Sequence, residues 1–599
     1  MKNALSAPAN SRALKTGQCL TVGRGPTLER MMPFRKNVQP KKFVRQSVEI
    51  GRLSTCLLTA ILIVGAILRF NHITQPLIDA FSWRETDTAM MAENYYSTNW
   101  NILCTELNWD GPGPGYQGRE FQTLSYLAAL LYLLVGQHDW VGRAVAVMFG
   151  LWGIFALYQL VRRVWDEQRA LASAAVMALL PGSIFIERSF LPDPAMVALV
   201  TTATWLLVAY LQTDRRHYLI LASVIGTWGF LTKITGLIVA MPMLYAMLAI
   251  LSGRRVLHPS RIATLGTAAV FGFVPLVAYY LYARHLALTY PPYHFAGSGN
   301  WLWDNGLKEW WNHSYFLPRL YQRFSGWIWT GPVILLVLFG LLCPFLKRGR
   351  VSWAGEQEAS RNEALVDGLY KAPWLFHWWL LAGIVYYLIG AQELVDNPWN
   401  FHIIDPAAAA LAGHGIVVLT SFAARLTRPF ISAGLLLVIA VSGQRGLTAM
   451  YKPYAEQSYK LGLALRQLTR RSDLVVTVAN AIGDPTAIYY TGRRGWVFPP
   501  ASVSGNWIEL PENDEESIRF FEALRAQGAD WFGIVAEQKK ELWQDHARLM
   551  SYIQRTCEFT VETRDYVIYK IRGPEKAVMR SLVNRVTELS LVGLRQGDP

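Results

Sequence analysis

Three carboxylates and one arginine fall within nine positions of a largely apolar chain: Asp79, Arg84, Glu85 and Asp87, in the run Ile78-Asp79-Ala80-Phe81-Ser82-Trp83-Arg84-Glu85-Thr86-Asp87-Thr88-Ala89. Carboxylates of this kind can take a proton from an attacking hydroxyl, and an arginine beside them can hold an anion. Glu85 and Asp87 are two positions apart, so on a helix they point in different directions. The run reads as a loop leading into a helix from about Thr88 to Tyr96, where one carboxylate caps the helix and the other faces a cavity. Simple capping in a solvated loop is the competing reading.

Further candidates lie at other segment ends. Asp193 stands between Pro192 and Pro194 in Glu187-Arg188-Ser189-Phe190-Leu191-Pro192-Asp193-Pro194. It suits a helix start and equally a site at a membrane mouth. Arg188 and Lys233, the latter in Leu231-Thr232-Lys233-Ile234, border apolar runs. Each can snorkel to the interface or hold a phosphate. His402 precedes Asp405-Pro406, and Glu120 precedes the apolar run Leu124–Val135. Trp301, Trp303, Trp310 and Trp311 in the segment 290–324 can stack on sugar rings or anchor a loop at the interface.

The elements that must position these groups are membrane spans. The chain has 599 residues and is 52% hydrophobic, and its mean hydropathy is +0.19. Several windows of about 17–20 residues are almost free of charge, the length that crosses a bilayer. The net charge of +14 is accounted for by Lys and Arg at the cytoplasmic ends of spans, so nucleic acid is not an expected partner. The five cysteines show no metal or redox spacing; Cys104 and Cys557 fall in one compartment of the topology below.

Residues 1–50 are basic and read as a disordered cytoplasmic tail. Residues 51–445 read as a transmembrane domain of about eleven spans, beginning with Leu53–Phe70 outward. Leu124–Val135 is expected as an interfacial helix in the first outer loop, because every later Arg cluster (Arg162-Arg163, Arg215-Arg216, Arg254-Arg255, Lys347-Arg348, Arg425) then falls on one side. The same parity puts the 79–87 loop, the 188–193 turn, Lys233, the 290–324 loop and the 393–405 loop together on the outside.

Residues 446–575 read as an extracytoplasmic α/β domain. Ala455–Thr469 is expected as a helix, Asp473–Ala479 and Trp531–Val535 as strands, and Ile488–Tyr490 as a short strand. Glu516–Gln527 and Lys539–Arg555 are expected as helices and Phe559–Ile571 as a hairpin. Residues 576–599 read as a loosely attached tail.

At Ser82-Trp83-Arg84-Glu85-Thr86-Asp87-Thr88-Ala89, Glu120-Phe121, Arg188-Ser189-Phe190-Leu191-Pro192-Asp193, Leu231-Thr232-Lys233 and His402 to Pro406 the chain resembles the GT-C membrane glycosyltransferases. The resemblance is to the family-39-like branch, related to protein O-mannosyltransferases and lipid A aminoarabinose transferases. It covers about residues 53–445. It implies a multi-pass enzyme of the cytoplasmic (inner) membrane that moves a sugar, with inversion, from a polyprenyl-phosphate carrier to an acceptor hydroxyl outside. It also implies a catalytic base on the first loop, with cations for the leaving phosphate. This chain has Glu85 where the branch tends to have Gln, so the base is Asp87 or Glu85. Asp87 is preferred, with Asp193 orienting base or acceptor. Asp79, Arg84, Glu120, Arg188, Lys233 and His402 are the expected substrate-binding set. No cofactor is implied with certainty; a divalent metal is compatible with the carboxylates, although no ligand pattern stands out. A transporter or lipid flippase is the alternative, against which no inverted repeat is apparent.

Overall fold

The computed structural model describes residues 40–253, 259–290, 292, 294–295, 316–346, 371–395, 397–481, 483–500 and 510–571. Residues 1–39 of the expected N-terminal tail, the expected C-terminal tail 576–599 and the four tryptophans between 301 and 311 lie outside the described residues. Met1–Leu53 and Ser54–Pro599 form separate compact units, and every element after the first helix belongs to the second.

Helix α1 (Pro40–Phe70) leads into α2 (Ser82–Ser97), a two-residue strand β1 (Asp110–Gly111), α3 (Thr123–Val135) and α4 (Asp139–Val164). Then come α5 (Glu167–Leu179), α6 (Pro181–Ile186), α7 (Asp193–Thr213), α8 (Arg216–Thr232), a 3-10 turn (Ile234–Val239) and α9 (Ala240–Gly253). The transmembrane part continues through α10 (Pro259–Thr289), α11 (Phe316–Arg323), α12 (Gly331–Leu346), α13 (Leu375–Leu394), a second 3-10 helix (Pro398–Ile404), α14 (Asp405–Ser421) and α15 (Arg428–Met450).

Among the described residues seven helices are long and apolar enough to cross a membrane. They become eight if Phe316–Ile328 and Gly331–Phe345, which meet at 103°, form one broken span. The protein is therefore a multi-pass membrane protein. The remaining expected crossings are also helical but shorter or interrupted. α5 ends where Leu180 and Pro181 start a new turn, α8 has 17 residues, and α13 departs from helical geometry at Gly390.

α3 has 13 residues, about 20 Å at 1.5 Å per residue, against a hydrocarbon core of about 30 Å. It buries Leu124, Ala128 and Tyr132 and leaves Leu133 and Leu134 exposed.

Burial ranks the spans. The windows of α7 and of the Pro398–Ser421 segment are 94% and 89% buried, whereas those of α10 and α15 are 11% and 17% buried. α7 and α14 are the centre of the bundle, and the polar groups at their starts, Asp193 and Asp405, are held inside protein. At the opposite end of α7, Arg163 Nη1 donates to Gln212 Oε1 at 3.3 Å and ties α4 to α7 where the basic residues gather.

The C-terminal region folds as an α/β domain. It comprises α16 (Glu456–Leu468), β2 (Leu474–Val478), α17 (Thr486–Thr491), β3 (Gly495–Val497), α18 (Asp514–Ala526), β4 (Ala529–Val535), α19 (Ala536–Asp545), α20 (Ala547–Thr556), β5 (Cys557–Glu562) and β6 (Tyr566–Ile571). The sheet order is β1-β3-β2-β4-β6-β5, with β3, β2 and β4 parallel and the remaining pairs antiparallel.

Two local expectations are corrected. Ile488–Tyr490 is helical, because Asp484 caps Thr486 N–H at 2.8 Å and Gly492 at φ 58° ends the turn. The expected helix 539–555 is two helices broken at His546, whose Nδ1 pairs with Asp514 at 2.8 Å. Cys104 and Cys557 are both free of disulfides.

The segment between α2 and α3 supplies β1 to this sheet, so the domain is built onto the membrane part rather than tethered to it. Arg494 pairs with Glu106 at 2.6 Å. The Tyr489 and Tyr490 hydroxyls donate to Asp139 at 2.8 and 2.7 Å, and Leu77 N–H donates to the Tyr490 hydroxyl at 2.6 Å.

Candidate active site

The 79–87 run is not a loop ahead of a helix. α2 starts at Ser82, because Arg84 and Glu85 N–H already donate to Phe81 C=O, and no side chain caps it. Glu85 and Asp87 are thus freed from capping and enter two different charge systems.

The first system is sealed. Glu85 accepts from Arg143 Nε at 3.0 Å and Nη2 at 2.9 Å, and from Phe190 N–H at 2.7 Å. Arg143 Nη2 also reaches Asp79 at 2.9 Å. Arg188 Nη1 donates to Asp79 at 2.7 Å and Nη2 to His72 C=O at 2.7 Å. The side chains of Asp79, Glu85, Arg143 and Arg188 have no solvent exposure. Burial pushes Glu85 up, but the Arg143 charge and hydrogen bonds outweigh it and hold the carboxyl at about 2. Burial, joined by the Glu85 charge, lifts Asp79 to about 6.

A second sealed chain continues inward. Arg69 Nε meets Glu187 at 2.5 Å, Glu187 lies 3.2 Å from His402 Nε2, and His402 Nδ1 lies 2.8 Å from Asp405. Asp405 also accepts from Ser183 at 2.9 Å and from Trp329 Nε1 at 2.7 Å. Gly150 makes room on α4 for this chain, because a Cβ there would lie 2.6 Å from Glu187 Oε2. A buried ion pair of this kind resists loss of either partner.

The second charge system keeps contact with solvent. Asp87 Oδ1 accepts from Trp109 Nε1 at 2.9 Å. Its Oδ2 faces Arg119 Nη2 at 3.7 Å and Arg84 Nη1 at 4.0 Å. Arg84 also pairs with Glu120. The Arg84 and Arg119 side chains are 11% and 18% exposed. Burial raises the Asp87 carboxyl above its ordinary 3.8, partly opposed by Arg119, Arg84 and Trp109. A raised carboxyl is a stronger base toward a hydroxyl than an ordinary aspartate. Burial likewise acts to raise Glu120, but Arg84 and Arg119 outweigh it and hold the group below its ordinary value.

Phe121 N–H donates to Leu231 C=O at 3.0 Å, and the Thr123 and Thr232 hydroxyls meet at 2.7 Å. The segment before α3 is thereby fastened to the end of α8. The next residue, Lys233, donates to Asp193 Oδ1 and to Asn400 Oδ1, both at 2.7 Å. Asp193 acts electrostatically on Arg84, and Lys233 on Glu120, so the two groups of residues form one cluster.

The structure therefore brings Asp87, Arg84, Glu120, Asp193 and Lys233 together. It places Asp79, Glu85 and Arg188 in the sealed network and His402 in the inner chain. Four residues enter that the sequence reading did not single out as site groups. Arg119 adjoins Glu120, and Trp109 is the donor to Asp87. Asn400 sits two residues before His402. Asp484, from the C-terminal domain, is buried; burial raises its carboxyl, opposed by hydrogen bonds from Thr486, and the charge of Asp87 adds to the rise. Arg143 carried a signal of its own: an arginine inside an apolar run demands a partner. Among the described residues no group of three or more His, Cys, Asp or Glu side chains could hold a metal ion.

Fold and sequence comparisons agree on the class: the chain has the GT-C fold of membrane glycosyltransferases. Residues 123–279 match the family model described as dolichyl-phosphate-mannose-protein mannosyltransferase. The chain is similar to ArnT from Cupriavidus metallidurans in the apo state, with TM-score 0.58 and 12% identity, covering 87% of this chain and 100% of that one. The same protein bound to undecaprenyl phosphate gives TM-score 0.55 and 13% identity, with coverage of 87% and 100%. The oligosaccharyltransferase AglB from Archaeoglobus fulgidus, in complex with an inhibitory peptide and a dolichol-phosphate, gives TM-score 0.50 and 12% identity, covering 87% of this chain and 74% of that one. A comparison with curated proteins gives no match.

Proposed function

We propose that the protein is an inverting glycosyltransferase. It moves a sugar from a polyprenyl-phosphate carrier to an acceptor hydroxyl at the outer face of the cytoplasmic membrane, with its N-terminus inside and its α/β domain outside. The observation that carries this reading is Asp87. It is a buried carboxylate with a raised pKa, fixed through one oxygen by Trp109, with its other oxygen beside two arginines. The ArnT and AglB structures named with undecaprenyl phosphate and dolichol-phosphate support a carrier of that chemistry.

In the reaction the acceptor oxygen bonds to the anomeric carbon from the face opposite the carrier. Its proton passes to Asp87, and the bond from the anomeric carbon to the phosphate oxygen breaks, leaving the electron pair on the polyprenyl phosphate. Arg84 and Arg119 supply positive charge for that phosphate. Glu85, Asp79 and Arg188 set the pitch of α2 against α4 and α7, and His402 fixes the turn that carries Asn400.

The test is transfer of labelled sugar from membrane polyprenyl-phosphate sugars by purified wild type and Asp87→Asn, with and without chelator. Transfer by wild type that the variant loses supports the reading. Full transfer by Asp87→Asn removes Asp87 as the base, and chelator sensitivity adds a metal.

A further inference from the structure

Asp193, Lys233 and Asn400 come from three separate segments, the start of α7, the end of α8 and the 3-10 helix before α14, and their polar heads meet. Lys233 Nζ donates to one oxygen of each partner at 2.7 Å. Asp193 is 1% exposed and Asn400 3% exposed. Each keeps one buried polar atom without a hydrogen bond, Oδ2 on Asp193 and Nδ2 on Asn400. The chemistry of these two atoms is fixed. The ammonium has only donors, so Asn400 must turn its carbonyl oxygen to Lys233, and the unpaired atom is the NH2 donor. Asp193 contributes an unpaired acceptor that carries negative charge.

An unpaired acceptor and an unpaired donor on one ammonium match a group that both donates and accepts one hydrogen bond. A phosphate oxygen only accepts, and Asp193 would repel it. The Lys233 charge is already taken up by Asp193 at 2.7 Å, whereas Arg84 and Arg119 face Asp87 Oδ2 across 4.0 and 3.7 Å. A polar atom buried without a partner costs about 1–3 kcal/mol, so a group that satisfies both atoms at once is bound selectively.

We propose that Asp193 and Asn400, braced by Lys233, form a hydroxyl-binding subsite in which a sugar or acceptor hydroxyl donates to Asp193 Oδ2 and accepts from Asn400 Nδ2. Asn400 is a specificity-determining residue of the reaction, and Lys233 is its positioning residue rather than the phosphate ligand. This rests on the transferase reading above.

The experiment measures binding of three probes to the purified full-length protein in detergent: undecaprenyl phosphate, undecaprenyl-phosphate hexoses (glucose, galactose and mannose), and the free methyl hexopyranosides. Wild type is compared with Asn400→Asp, which keeps an oxygen for Lys233 and turns the donor into an acceptor. It is also compared with Asn400→Leu, and melting temperatures report whether each variant folds. We expect both variants to bind undecaprenyl phosphate as wild type does and to lose about 10- to 100-fold in affinity for a hydroxyl-bearing probe. Loss confined to the carrier-linked hexoses assigns the hydroxyl to the transferred sugar, and loss confined to the methyl glycosides assigns it to the acceptor. An equal loss for undecaprenyl phosphate and for the carrier-linked hexoses would make this a phosphate site and overturn the proposal. Unchanged binding of every probe by a folded variant would mean that the pair holds only buried water, and would also overturn it. Wild type that binds none of the three probes would overturn the transferase reading itself, an outcome distinct from the other two.

Discussion

Glu85 and Asp87 stand two residues apart on α2 and belong to different charge systems. Glu85 is locked by Arg143 at 2.9 and 3.0 Å and by Phe190 N–H at 2.7 Å, while Asp87 meets Trp109 through one oxygen and two arginines across longer gaps through the other. A helix turns about 200° over two residues, so the pair faces opposite ways. Glu85→Ala leaves the Arg143 guanidinium with one fewer counter-charge in a closed interior, at a cost of about 3–5 kcal/mol. We expect a sharp fall in melting temperature and yield. Asp87→Asn should melt within a few degrees of wild type, while its transfer rate falls by about 10²- to 10⁴-fold. Equal destabilisation by the two substitutions would contradict the division of roles.

The pH dependence of transfer follows from Asp87. Its carboxyl is raised by burial, so the base form appears at higher pH than for an ordinary aspartate. The acid limb of kcat/KM should lie above 3.8. A profile flat down to pH 4 would contradict Asp87 as the base.

Asp110 on β1 gives a stability signature with a definite sign. Burial pushes its carboxyl up to about 7, against the hydrogen bond from Gln117. The folded state therefore holds a proton that the unfolded chain releases near 3.8. The contribution is fully present below that value and is lost as pH rises toward 7. Asp110→Asn should remove part of this decline, on the order of 2 kcal/mol across the window. Thermal unfolding in detergent at pH 4.5 and 7.5 reads the difference, and an unchanged slope would count against it.

Gly495 joins the α/β domain to the segment between α2 and α3. It sits at φ +155°, and a Cβ there would lie 1.8 Å from Val475 C=O, between β1 and β2 in the sheet. Gly495→Ala must part β3 from β2. We expect proteolysis within the glycine-rich segment 111–115 to rise many-fold, with a loss of transfer to follow. Wild-type protection would show that the domain docks without this strand.

The inner chain predicts non-additivity. Glu187→Ala strands Arg69 and His402 and should cost about 3–5 kcal/mol, whereas Arg69→Met combined with Glu187→Leu should recover much of it. Melting temperatures of Arg69→Met, Glu187→Leu and the double variant give the coupling, and simple addition would show that the charges do not act as one unit.

The spans were legible in the sequence because lipid imposes a length and a lack of charge on each one, and both survive in a linear reading. The α/β alternation after residue 455 was legible for a related reason: strand and helix periods are local. Charge parity correctly drew residues near 79–87, 188–193, 233 and 400 to one end of the bundle. Parity assigns only a side of the membrane, and it gave Glu85, Arg188 and His402 the same standing as Asp87 and Lys233. The division between a sealed network and an open cluster depends on which buried cation each carboxylate meets. Those cations, Arg143 and Arg69 on helices and Arg119 on the segment before α3, are fixed by tertiary packing over separations such as the 58 residues between Glu85 and Arg143. The insertion of β1 into a sheet otherwise built after residue 473 is likewise invisible locally, because a two-residue strand carries no periodicity. Sequence alone determined the membrane class and drew the candidate residues to one end of the bundle. Only the tertiary structure decided which carboxylate is locked by a buried cation and which meets its cations across longer gaps, since pairing depends on neighbours in space.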